Sequence, residues 1–163
     1  MDDAAEGMLA ELKWVHGMIR RDLETVRELA TAVRDGLPPF EVEAAIRSLA
    51  TNGPLWQLKV NCLRYCHFVE SHHRLESIAL FPAIRAHDPD LGPVVDKLEA
   101  DHHVVSGHLD EVEAATRALG AAGSAGRRGD LIAALERLSA DLLAHLDFEE
   151  DSLGPTLRTW TRW

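Results

Sequence analysis

Tyrosine occurs once in this 163-residue chain, and cysteine only twice, at Cys62 and Cys66. Two thiols four residues apart, one helical turn, make neither a disulfide framework nor a cysteine-rich metal site. They read as reduced, partly buried side chains. Positive charge is also in short supply: 17 Lys and Arg stand against 27 Asp and Glu, for a net charge of −10. That balance excludes nucleic acid and anionic membrane surfaces as partners. No apolar run approaches the roughly 20 residues that cross a bilayer, so no membrane span is expected. The opening Met1-Asp2-Asp3-Ala4-Ala5-Glu6 is acidic where a secretory leader is basic and then apolar, which predicts a cytoplasmic protein. What the chain does have is nine histidines, together with 46% hydrophobic residues. Its length suits one domain over residues 1–163 with a core that needs no staples.

Proline and glycine divide the chain into helices. A first helix is predicted from about residue 5 to Arg34, stopped by Gly36 and Pro38-Pro39. A short helix, Phe40 to Leu49, closes at Asn52-Gly53-Pro54. The second long helix runs from Pro54 to Ala86, and the third from Pro89 to the small-residue loop beginning at Gly120. The fourth runs from Arg128 to a break at Gly154-Pro155, followed by a tail with Trp160 and Trp163. No segment alternates with period two. The fold class predicted is all-α: an up-down-up-down four-helix bundle with an extra short helix between the first and second long helices.

Stepping three and four residues along each long helix traces its inward stripe. The first helix reads Leu9, Leu12, His16, Ile19, Leu23, Val26, and the third Val95, Leu98, His102, Val105, Leu109. The second reads Cys62, Tyr65, Val69, His72, Glu76, Ala79, Ala83, and the fourth Leu138, Leu142, His145, Glu149. Each stripe carries one histidine, and two add a glutamate four residues later. Counted from the predicted helix ends at about 1.5 Å per residue, all six groups fall near one level. A single inward histidine is ordinarily a core residue with its hydrogen bonds satisfied. Two carboxylates buried without partners are a different matter, costing several kcal/mol each. A pair of cations supplies the missing charge and uses the imidazole lone pairs.

The pattern also repeats. His72-x-x-x-Glu76 precedes Leu80-Phe81-Pro82, and His145-x-x-x-Glu149 precedes Leu153-Gly154-Pro155. His16 with Ile19 and Leu23 matches His102 with Val105 and Leu109. The first hairpin separates its histidines by 56 residues and the second by 43; the excess of 13 matches Pro39 to Thr51, an insertion into a duplicated helical hairpin. In these motifs the chain resembles the hemerythrin-like family of HHE cation-binding domains over nearly its whole length. The resemblance implies a four-helix bundle with two non-haem iron ions joined by an oxo or hydroxo bridge. By that likeness His16, His72, His102 and His145 are terminal ligands, and Glu76 and Glu149 bridging carboxylates. The family's oxygen carriers have a fifth histidine in a His-x-x-x-His pair on the third helix and an aspartate on the fourth. Here those positions hold Ser106 and Glu149, which points away from reversible oxygen carriage.

Other metal templates fit less well. Glu70-x-x-His73 and Glu99-x-x-His102 have the ferritin-like spacing but fall on consecutive helices, and that reading strands His16, His145 and Glu149. Structural zinc takes about four ligands in a tetrahedron, whereas six mixed N and O donors suit a dinuclear pair. With bridging carboxylates and one bridging oxygen, each iron retains an open position for a small diatomic or peroxide ligand. The leading expectation is catalase-like decomposition of hydrogen peroxide; the alternative is an oxygen or nitric oxide sensor or an iron-responsive module without turnover. The redox partner and oligomeric state are not readable. Tyr65, seven residues before His72 on the stripe, is a candidate hydrogen-bond donor behind the metal ligands or a redox relay. His73 and His103 flank the stripes and are expected at the rim; His67, His87 and His108 are expected in solvent.

Overall fold

The computed structural model describes residues 7–35, 54–118 and 125–160, and among these every long element is a helix. We number the α-helices α1 (Gly7–Asp35), α2 (Pro54–Leu75), α3 (Phe81–His87), α4 (Gly92–Arg117) and α5 (Ala125–Leu157). A π turn, Glu76–Leu80, joins α2 to α3, and a 3-10 turn, Pro89–Leu91, leads into α4. The Asp88 carboxylate accepts the Asp90 backbone N–H at 3.2 Å where the chain turns. The predicted short helix at Phe40–Leu49 and the end of the tail at Trp163 lie outside the described residues.

The four long helices form a helical bundle in which α1 packs on α2 and α5, and α4 packs on α2 and α5. The interior has three levels. One apolar block contains Ile19, Leu23, Val69, Val105, Leu109, Leu138 and Leu142. A second contains Leu9, Leu12, Leu80, Phe81, Ile84, Leu98, Leu153 and Leu157. Between them in sequence, on α1, α4 and α5 and in the π turn that follows α2, lie the buried polar residues His16, Glu76, His102, His145 and Glu149. Polar side chains sealed by apolar blocks at both ends are cut off from bulk water.

Two features of the helices differ from expectation. The first is the stripe after Glu76, predicted through Ala79 and Ala83. Those residues are only half-buried, while Leu80, Phe81 and Ile84 are buried. The π turn is the cause: the Phe81 N–H bonds to the Glu76 carbonyl, one residue further back than in an α-helix, so the inward face shifts by one position. Pro82 accounts for its location. It has no N–H for the Ile78 carbonyl, and its ring would crowd that carbonyl in an unbroken α-helix. The second is α5, expected to break at Gly154-Pro155 yet helical to Leu157. Pro155 sits on the exposed face in the last turn, while Leu153 and Leu157 are held in the apolar block.

The π turn makes a testable difference at Phe81, which is fully buried and stacks on the His102 ring at 5.1 Å. Phe81→Ala is expected to cost about 3–5 kcal/mol in chemical denaturation. In an unbroken α-helix position 81 would face solvent, and a cost near zero would remove the π turn from the fold.

Candidate metal centre

Each long helix delivers its histidine to the same level for the reason seen in the sequence, the 3.6-residue period. His16, Glu76, His102, His145 and Glu149 are all buried, and His72 is nearly so, with 10% of its side chain exposed. The six predicted ligands are brought together. Glu76 Oε1 lies 3.2 Å from His72 Nε2 and 3.4 Å from His102 Nε2. Glu149 Oε2 lies 3.6 Å from His16 Nε2 and 3.4 Å from His145 Nε2. Each carboxylate therefore stands between two imidazoles carried by different helices.

Electrostatically the pocket favours neutral imidazoles. Burial, then His72, Arg20, His145 and His102 around it, push His16 down to about 2. Burial and His145 lower His72 to about 4. Burial, with His145, His72 and His103, lowers His102 to about 3. His145 is lowered by burial against the opposing pull of Asp101. Burial pushes both glutamates the other way: Glu149 rises to about 7, and Glu76 rises well above the carboxylate range, helped by Glu149 beside it.

The outer contacts set the tautomers. The Ser77 hydroxyl donates to Glu99 Oε2 at 3.0 Å, and its oxygen lies 3.0 Å from His102 Nδ1. A hydroxyl has a single hydrogen, so His102 Nδ1–H donates to Ser77 and the Nε2 lone pair faces inward. His145 Nδ1–H donates to Asp101 Oδ2 at 3.1 Å, and Lys97 Nζ donates to the same oxygen at 3.0 Å. Glu150, which accepts from Arg20, stands 3.6 Å from His16 Nδ1. The Nε2 atoms of His16, His72, His102 and His145, with both oxygens of Glu76 and Glu149, are buried and have no hydrogen-bond partner among the described residues. Buried polar atoms left unpaired cost about 1–3 kcal/mol each, more when charged. A donor set of this kind, aimed at one place, is able to bind metal.

Several sequence expectations are refined here. His73 is buried, 4% exposed, rather than at the rim; its ring stacks on His102 at 4.0 Å. His73, Glu76, His102 and His145 each offer a donor atom within 4.8 Å of the others, and His16, His72 and Glu76 make a second such set. His67, His87 and His103 are exposed as expected, while His108 is half-buried and 2.6 Å from Asp141. Tyr65 is buried and its hydroxyl donates to the Ile19 carbonyl at 3.2 Å. Burial raises it above the usual phenol range, and burial likewise lifts Cys62 to about 11 and Cys66 to about 12, so both thiols stay protonated. Sequence reading did not single out Ser77, Asp101 and Glu150. Each is the chain neighbour of a site residue (Glu76, His102 and Glu149), and a 100° step around a helix turns such a neighbour toward the adjoining one.

Asp101→Ala is expected to weaken metal affinity about 10–100-fold with little change in fold, because His145 loses the acceptor that orients it. An unchanged affinity in a competition titration against a chelator would mean that this contact is incidental.

The comparisons with known proteins agree with this geometry. No curated protein and no solved structure matches the chain. The family model of the hemerythrin HHE cation binding domain matches residues 7–157. A buried cluster of histidines and glutamates drawn from four helices, in a chain matched over nearly all its length, has one consistent description: this protein belongs to the hemerythrin HHE cation-binding domain family.

Proposed function

We propose that the chain holds two non-haem iron ions with an oxo or hydroxo bridge and decomposes hydrogen peroxide. The observation that carries the metal reading is the position of each buried carboxylate between imidazoles of two helices. In this reading His16, His72, His102 and His145 are terminal ligands, and Glu76 and Glu149 bridge. An up-down-up-down arrangement suits it: cross-helix pairs run in opposite senses, with Arg20 bound to Asp147 and Arg27 to Glu136. Bound iron supplies Lewis acidity and exchangeable electrons.

The chain's own residues supply confinement, orientation and access. A cavity of about 90 Å³, lined by Met8, Leu12, Val15, Leu75 and Leu80, reaches His72. Apart from the exposed Glu11 its walls are apolar, and its size suits a small uncharged molecule. Disproportionation of peroxide needs no other reductant: one molecule gives up two electrons and two protons to leave as oxygen, and a second takes them up to leave as two waters. Tyr65 enters this reading as a positioning residue. It ties the α1 backbone at Ile19, one turn from His16, to α2.

Iron-loaded protein is expected to contain about two irons per chain and to evolve oxygen from peroxide, as fits a dinuclear carboxylate site. Glu76→Ala should lose both properties. Peroxide consumption no faster than that of free iron would sink the catalase-like reading, and a stable oxygen or nitric oxide adduct without turnover would replace it with a binding module.

Metal uptake carries a pH signature. In metal-stripped protein the His16, His72 and His102 imidazoles are already neutral above about 4, so they release no protons when a cation binds. Glu149, raised to about 7, must release one. Its contribution to apparent affinity therefore rises about tenfold per pH unit up to about 7 and then flattens. Glu76, raised by burial as well, must also release its proton, so titrations between pH 5 and 8 should show a steeper rise in the wild type than in Glu149→Gln; identical pH profiles for the two proteins would count against Glu149 as a ligand.

A further inference from the structure

Two consecutive residues of α2 enter the centre from different sides. The His72 ring pairs with His16, edge to face, with centroids 5.3 Å apart. The His73 ring instead joins His102 at 4.0 Å and His145 at 5.0 Å, and those two lie 4.8 Å from each other. The imidazoles thus fall into a pair, His16 and His72, and a trio, His73, His102 and His145. The carboxylates lie between the groups: Glu76 contacts His72 of the pair and His102 of the trio, and Glu149 contacts His16 and His145.

We propose that His73 is a seventh protein ligand, completing the coordination of the metal held by His102 and His145, so that small molecules add only at the metal held by His16 and His72. This rests on the dinuclear reading above. Packing alone gives a weaker account of His73. Stacking on His102 explains a buried ring, but His73 Nε2 is itself buried without a hydrogen-bond partner, and a phenyl ring would fill the space without that cost. Its donor atom also falls within the 4.8 Å set formed with Glu76, His102 and His145.

Counting donors gives the asymmetry. With both carboxylates bridging, the His16–His72 metal has four protein donors and the His73–His102–His145 metal has five. A shared bridging oxygen raises these to five and six, against about six preferred by iron in an octahedral field. The first metal keeps an open position and the second does not. The apolar cavity independently reaches the same side: it is lined by His72 together with Leu12, Val15 and Leu75, and by no member of the trio.

The test uses ⁵⁷Fe-loaded full chain, with Mössbauer spectra and azide titration as readouts, on wild type, His73→Phe and His73→Ala. Wild type is expected to show two distinct iron environments of equal area and to take up one azide per pair. His73→Phe preserves the stacked ring and removes the nitrogen; it should hold one of the irons at least tenfold more weakly, or expose a second azide position. His73→Ala should behave alike and recover the wild-type spectrum on addition of imidazole. His73→Phe with wild-type iron affinity, spectrum and azide stoichiometry would overturn the proposal and leave His73 as packing. Wild type holding fewer than two irons would instead overturn the dinuclear reading, and the proposal with it.

Discussion

Two carboxylates with no access to water organise this molecule. Glu76 and Glu149 are both fully buried, close enough that each raises or answers the other's proton affinity, and among the described residues neither has a cationic side chain as partner. Burying such groups costs several kcal/mol apiece unless charge is neutralised. The four long helices answer with neutral imidazoles, which carry lone pairs and no charge. A cluster that is rich in donors and poor in cations is complementary to metal ions in a way that a salt-bridged core is not. The apolar blocks above and below make that complementarity stronger, because excluded water can neither screen the carboxylates nor replace the missing ligands.

The surroundings of the cluster follow from the same demand. A metal-binding imidazole must keep its inner nitrogen unprotonated, so its outer nitrogen needs an acceptor. Asp101 fills that role for His145, and the Ser77 hydroxyl, itself bound to Glu99, fills it for His102. The backbone is altered at the same place. The π turn opens at Glu76, so the segment bearing a central carboxylate is also the segment where α2 abandons its regular register. Pro82 enforces the turn locally, and the buried Phe81 and Ile84 beneath it lock the shifted face in place. In the second hairpin, Pro155 stands at the same offset from Glu149 without any π turn, close enough to the end of α5 to be absorbed in its last turn.

Much of this was legible in the chain. The stripes Leu12, His16, Ile19 and Leu98, His102, Val105 are buried as their spacing predicted, and so are His145 and Glu149. Legibility failed where a side chain's direction depends on something other than the helical period. The stripe beyond Glu76 was misaligned by one residue because a π turn changes the period itself. His73, one position off the stripe, was placed at the rim, because a seam drawn on one helix ignores a neighbouring helix that covers its flank. Asp101 and Glu150 escape the stripes for the same reason.

The division has a physical basis. A helix repeats every 3.6 residues as a property of its own backbone, so the order of residues by itself determined which histidines and glutamates face inward, and at what height. Distances between helices are set by how side chains interlock across them, and no local period contains that information. Only the tertiary structure decided that Glu76 stands between His72 and His102, that Glu149 stands between His16 and His145, and that consecutive histidines on α2 part company. His72 turns toward His16, and His73 toward His102 and His145.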